Sequence, residues 1–269
     1  MPRGGCATAC VASVAACGSA SGSSDHTLKV GIKFDQPGLG FKKSGTYEGF
    51  DVDVARYIAN QLGYTDAEIE FKEAPSKQRE AMLQNGDVDM ILASYSITDE
   101  RKKAVDFAGP YFVAGQDLLI RSNEKGITGP QDLNGKRLCS VTGSTSAKVV
   151  KEKFAKEVQL MEQPGYAECA TALLSGIVDA VTTDDIILAG LAAASRGKLK
   201  VVGKPFTQEY YGVGIKKDAD SKEFATKIND AIEEMIKTGE WERAIETNTK
   251  GTGYRPDPKY NPPTPDEGE

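Results

Sequence analysis

Ser76-Lys77-Gln78-Arg79-Glu80-Ala81-Met82-Leu83-Gln84-Asn85-Gly86-Asp87-Val88-Asp89-Met90-Ile91-Leu92-Ala93-Ser94-Tyr95-Ser96-Ile97-Thr98-Asp99-Glu100-Arg101 is the stretch that decides the fold. Ser76 after Pro75 reads as the N-cap of a helix, Ala81, Met82 and Leu83 give that helix an apolar side, and Asn85-Gly86 ends it. Val88 to Ala93 reads as a buried strand of the parallel kind. It runs into three hydroxyl residues, Ser94, Tyr95 and Ser96, and Thr98 then caps a second helix with Asp99 and Glu100 in its first turn. Helix, strand and helix in this order belong to an open α/β sheet, which binds ligands at the carboxyl ends of its strands. Lys77, Arg79 and Arg101 fall in first helical turns, where the macrodipole disfavours a cation by about 0.3–1 kcal/mol. Taken singly, each is an ordinary solvated cation. Taken together, two guanidiniums and a hydroxyl cluster at one strand edge suit a small anion.

The 269 residues are enough for two modest lobes, and 39% apolar with 27% charged residues is ordinary for a globular chain. A net charge of −6 without a basic face argues against nucleic acid. The sole histidine, His26, lies near the amino terminus and has no nucleophile or metal-ligand cluster beside it in the sequence, so neither a metal nor a cofactor is expected. The pattern Gly86-Asp87-Val88-Asp89 returns as Gly176-Ile177-Val178-Asp179, 90 residues on. Such a repeat predicts two lobes of related layout with strand ends facing a common cleft.

The central stretch resembles the family 3 bacterial extracellular solute-binding proteins. The shared pattern is the Gly-x-Val-Asp strand, then Ser94-Tyr95-Ser96-Ile97-Thr98-Asp99-Glu100-Arg101, then Phe107-Ala108-Gly109-Pro110-Tyr111-Phe112. Further matches are Tyr47 to Ala55, with its Gly-Phe-Asp-x-Asp segment, and Gly129 to Lys136, so the resemblance runs from about Leu28 to Thr247. It implies a two-lobed, type II periplasmic-binding-protein-like α/β fold, each lobe a mostly parallel sheet flanked by helices. Lobe one is expected at 25–116 plus 209–249 and lobe two at 117–208. Residues 1–24 read as a short signal segment with a Gly/Ser tether, and 250–269 as a disordered, proline-rich acidic tail.

The resemblance also implies a receptor, not an enzyme, that delivers a polar amino acid to the membrane subunits of an ABC importer and acts as a monomer. Arg101, Ser96 and Thr145 are then expected on the α-carboxylate and Asp184 on the ammonium, since a buried charge needs an opposite partner. Ser94, Tyr166 and Tyr211 complete the expected ligand set. Arg79 and Lys33 remain as extra cations, and a second guanidinium calls for a second carboxylate. Segments such as Lys33 to Gly40 and Phe206 to Gly212 resemble glutamate-binding lipoproteins of high-GC Gram-positive importers, so L-glutamate is the expected ligand. Aspartate, asparagine or glutamine are alternatives, as is a cyclohexadienyl-dehydratase-like enzyme on the same fold. Val14-Ala15-Ala16-Cys17-Gly18 resembles a lipobox, with Cys17 lipidated on the outer face of the cell membrane. In that compartment Cys139 and Cys169 are expected as a disulfide, with two buried thiols as the alternative. Asp51 and Asp53 are read as helix-capping carboxylates and Trp241 as a packing residue.

Overall fold

The computed structural model describes Met1 and residues 26–265, so the lipobox at Cys17 and the tether lie outside the described residues. The chain opens with β1 (Leu28–Ile32), then a small antiparallel sheet of β2 (Asp35–Gln36), β3 (Gly40–Lys43) and β4 (Thr46–Glu48). Helix α1 (Phe50–Gln61), β5 (Ile69–Glu73), α2 (Arg79–Asn85), β6 (Met90–Ile91), α3 (Asp99–Lys102) and β7 (Asp106–Ala114) follow. The second half holds β8 (Gln116–Arg121), β9 (Arg137–Val141), α4 (Ser146–Lys153), β10 (Gln159–Gln163), α5 (Tyr166–Leu174), β11 (Ala180–Asp184), α6 (Asp185–Ala194) and β12 (Leu199–Val201). The chain ends in β13 (Glu209–Ile215), α7 (Ser221–Lys237) and α8 (Glu240–Thr249).

The other strands form two five-stranded sheets, ordered β5-β1-β6-β13-β7 and β10-β9-β11-β8-β12. In the first, β1 runs parallel to β5 and β6 while β13 is antiparallel to β6 and β7. In the second, β9 runs parallel to β10 and β11 while β8 is antiparallel to β11 and β12. The two sheets therefore share one plan, which is the structural content of the internal repeat. Gly86 and Gly176 both follow a helix with φ near +75°, a conformation glycine adopts without a Cβ penalty. The repeated aspartates then make the same bond: Asp89 accepts from the Lys29 amide at 2.7 Å and Asp179 from the Arg137 amide at 2.9 Å. Each ties its strand to the start of the parallel neighbour.

The chain passes from the first sheet to the second at Gly115, and returns between β12 and β13. Lobe one is closed by an aromatic core. Trp241 sits edge-on to Phe50 at 5.7 Å and stacks on Phe112 at 6.1 Å, and its indole nitrogen donates to the Tyr111 carbonyl at 2.8 Å. This is the packing role expected of it. In lobe two the Cys139–Cys169 disulfide joins β9 to α5. Closing a loop of this length stabilises a fold by about 2–4 kcal/mol.

Several local expectations are corrected. Ser76 is not a helix cap: Pro75 to Gln78 form a turn, the Gln78 amide donating to Pro75 at 2.8 Å, and α2 begins at Arg79. The strand predicted over 88–93 is shorter, Met90–Ile91, with the Asp89 and Leu92 amides bonded to β1 on either side, and the backbone then turns through Ser94 at φ 46°. Asp51 and Asp53 do not cap α1, whose N-cap position is Gly49 and carries no side-chain cap bond. Asp53 instead accepts from Asn248 at 2.6 Å. The tail is not disordered through 265. Asn261, Pro263 and Pro265 are buried, and Asn261 pairs with both backbone groups of Val113. Proline-rich chain loses little entropy on ordering, so few contacts hold it.

Candidate functional site

Two strand ends and two helix starts converge between the sheets. They leave between them a polar cavity of about 20 Å³, room for about one water. Its lining brings together Arg79, Ser94, Ser96 and Arg101 from lobe one with Thr145, Tyr166 and Asp184 from lobe two. All seven were expected from the sequence. Ser76, Ser144, Ser146, Thr183 and Ile187 complete the wall and were not. A larger, shallower groove beside α7 mixes Lys102, Lys217, Asp106, Asp230 and Glu233 at its rim. The enclosed cavity has the converging donors that mark a small-molecule site.

Arg101 is oriented from behind. Its Nη1 donates to the Ser96 carbonyl at 2.7 Å, its Nε lies 3.5 Å from Glu80, and its guanidinium stands 4.8 Å from the centre of the Tyr95 ring. Thr98 caps α3 as expected, accepting from the Arg101 amide at 3.2 Å, so the same short helix fixes the Arg101 backbone. Arg79 is buried more deeply still, 2% exposed against 8% for Arg101. Its Nε donates to the Ala74 carbonyl at 3.3 Å and its guanidinium lies 5.1 Å from the same Tyr95 ring. Among the described residues no carboxylate comes within 4.0 Å of it. Burial, and then the Arg101 charge, lower its pKa.

Opposite them, Asp184 ends β11 and is buried, with no cap bond to α6. It accepts from the Tyr211 hydroxyl at 2.6 Å. Burial, and then the Glu209 charge, raise its pKa well above the usual carboxylate range. A buried carboxylate of this kind is stabilised by an arriving cation. Tyr166, whose hydroxyl pKa burial pushes up to about 12, donates to Ser144 at 3.1 Å and accepts from Thr183 at 2.7 Å. Thr145 stands at the start of α4 with its side chain making no cap bond.

Two expected contacts stand one layer back. Lys33 does not line the cavity. Its ammonium is 3.1 Å from Asp35, and burial lowers its pKa. Tyr211 acts through Asp184 and also lies outside the lining. Asp51 was missed as a site element. It is fully buried, accepts from the Ser94 amide at 2.9 Å and the Tyr111 hydroxyl at 2.8 Å, and burial raises its pKa to about 6. It thereby holds Ser94 in the left-handed region, a conformation that costs a non-glycine residue about 1–3 kcal/mol and persists where the surroundings fix it.

The lobes meet across the cleft. The Tyr166 amide donates to Asp35 at 2.7 Å and Arg101 Nη2 to the Gly143 carbonyl at 3.3 Å. Gly190 of α6 lies against the Pro37 carbonyl, and a Cβ there would overlap that oxygen. Gly190→Ala favours the helix itself, so the melting temperature without ligand is expected to hold or rise while the affinity of the cleft falls at least about ten-fold, the equivalent of about 1.4 kcal/mol. Paired thermal melts and calorimetry measure both, and an unchanged affinity would show that the contact is not needed for closure.

Among the described residues no group of three or more potential metal ligands occurs, and no helix is long and apolar enough to cross a membrane. The profile of the bacterial extracellular solute-binding proteins, family 3, matches residues 28–250. The chain is 43% identical over 251 residues to the glutamate-binding protein GluB of Corynebacterium glutamicum, covering 87% of this chain and 84% of that one. It is also 43% identical over 215 residues to the ABC transporter glutamine-binding protein GlnH of Bacillus subtilis, covering 79% and 77%. Among solved structures, an ancestral arginine-binding protein bound to glutamine superposes with a TM-score of 0.76 at 37% identity, covering 83% of this chain and 97% of that one. An ancestral amino-acid-binding protein that is a precursor of cyclohexadienyl dehydratase gives 0.75 at 32%, covering 84% and 96%. The shared sheet plan, the cleft between the lobes and these matches place the chain in family 3 of the bacterial extracellular solute-binding proteins.

Proposed function

We propose that this protein is the amino-acid receptor of an ABC importer and that its ligand is L-glutamate, bound between lobes 25–116 plus 209–249 and 117–208. Family membership implies an extracytoplasmic location. In our reading the protein is a monomer held at the membrane by a lipid on Cys17. Arg101, Ser96 and Thr145 take the α-carboxylate, Asp184 takes the ammonium, and Arg79 takes the side-chain carboxylate. Relatives named for glutamate and for glutamine are equally similar in identity, so likeness alone does not choose between the two.

The observation that carries the choice is the charge balance of the cavity. Asp184 answers one ammonium and Arg101 one carboxylate. Arg79 is left buried without an acid within 4.0 Å among the described residues. A buried, unpaired guanidinium is costly, and a second carboxylate on the ligand offsets that cost. A thermal-shift screen of the twenty amino acids tests the reading, because a ligand that prefers the folded form raises the melting temperature. L-Glutamate is expected to give the largest shift. A larger shift with glutamine or arginine would overturn the ligand assignment while leaving the receptor. We read the chain as a receptor and not an enzyme because its relatives are named as binding proteins. Turnover of a cyclic acid of the prephenate type would reverse that.

A further inference from the structure

Residues 251–265 lie beyond the 28–250 matched by the family profile. They are nonetheless anchored at two places flanking the first crossing between the sheets. On the lobe-one side, Asn261 donates to the Val113 carbonyl at 2.8 Å and accepts from the Val113 amide at 3.0 Å. One side chain thus supplies the pairing that a neighbouring strand would give, one residue before the end of β7. On the lobe-two side, the Tyr254 hydroxyl donates to Asp185 Oδ1 at 3.1 Å. That oxygen also accepts from the Gly115 amide at 3.3 Å, and Gly115 is the residue between β7 and β8. Asp185 opens α6 and directly follows Asp184 in the cavity wall.

We propose that residues 251–265 are a strap over the crossing that favours the closed cleft, with Tyr254 and Asn261 as positioning residues acting through Asp185 on Asp184. The segment is rooted in α8, which packs on lobe one, whereas Asp185 belongs to lobe two. Opening the cleft rotates one lobe against the other and stretches the Tyr254 bond. Pro256 and Pro258, between the anchors Tyr254 and Asn261, restrict the slack available to absorb that movement. The strap thereby slows release of whatever the cleft holds, and it leaves the entrance to the open cleft unaltered.

The test compares the parent protein with Tyr254→Phe and with the double variant Tyr254→Phe, Asn261→Ala, all as full chains. Tyr254→Phe removes one oxygen and is expected to melt as cooperatively as the parent. Small-angle scattering without ligand is expected to give a larger radius of gyration for both variants. Stopped-flow release of L-glutamate is expected to be about ten-fold faster or more, the loss of one hydrogen bond to a carboxylate, with association unchanged. Radii and release rates equal to the parent's would overturn the strap. The ligand arm rests on the glutamate reading. If the parent fails to bind L-glutamate, that reading fails and the scattering comparison alone decides the strap.

Discussion

Arg101→Ala is expected to remove amino-acid binding, with a loss of affinity of at least 100-fold by calorimetry. The reasoning starts from how the guanidinium is held. Ser96 takes one of its donors at 2.7 Å, Glu80 stands 3.5 Å from a second, and the Tyr95 ring lies beneath it. The fork is therefore oriented before a ligand arrives, and little side-chain entropy is lost on binding. Two charge-assisted hydrogen bonds to a carboxylate contribute about 1.5–3 kcal/mol each, and each 1.4 kcal/mol is a factor of about ten. Arg101→Lys retains the charge and loses the fork, so an intermediate loss is expected. The fold survives either change, because Glu80 keeps the Tyr95 hydroxyl at 2.8 Å and is itself partly exposed. An affinity within five-fold of the parent would show that the α-carboxylate is held elsewhere.

Why Arg101 was legible before any coordinates follows from where it sits. It is tied by spacing to Thr98 and to a strand end, and a strand end in an open α/β sheet is where a ligand goes. Thr145 and Asp184, which stand at the corresponding ends of the second sheet, came from the resemblance to the family, because capping alone explains each of them locally. Lys33 stands behind the lining, on a partner that the sequence reading had not weighed. Asp35 lies two residues on, across the bend at Phe34, close enough in sequence to have been considered. Asp51 was missed for a different reason. An acid in the first turn of a helix has an adequate local explanation, and nothing local distinguishes a capping carboxylate from one that reaches Ser94, 43 residues away. The tail was misread because composition reports polarity, whereas the contact that orders it, from Asn261 to Val113, spans 148 residues. Contacts carried by motif spacing were readable. Those that join distant segments were not.

Arg79→Met is expected to invert ligand preference. The variant keeps the apolar stem of the side chain and removes the guanidinium, with its charge and its bond to Ala74. If Arg79 meets the side-chain carboxylate, glutamate loses about 100-fold in affinity. Glutamine, which presents a neutral amide there, changes by no more than a few-fold. A second readout separates this from a general loss of structure. In the unliganded protein Arg79 is a buried cation facing Arg101, with burial and that neighbour both lowering its pKa. Removing such a charge relieves a desolvation cost, so the ligand-free melting temperature is expected to rise. A merely structural arginine, held for its bond to Ala74 and its contact with Tyr95, predicts the reverse: a lower melting temperature and equal losses for both ligands. Calorimetry with the two amino acids and one thermal melt therefore distinguish a specificity determinant from a packing residue. Equal losses would leave the receptor intact and return the choice of ligand to the wider set of polar amino acids.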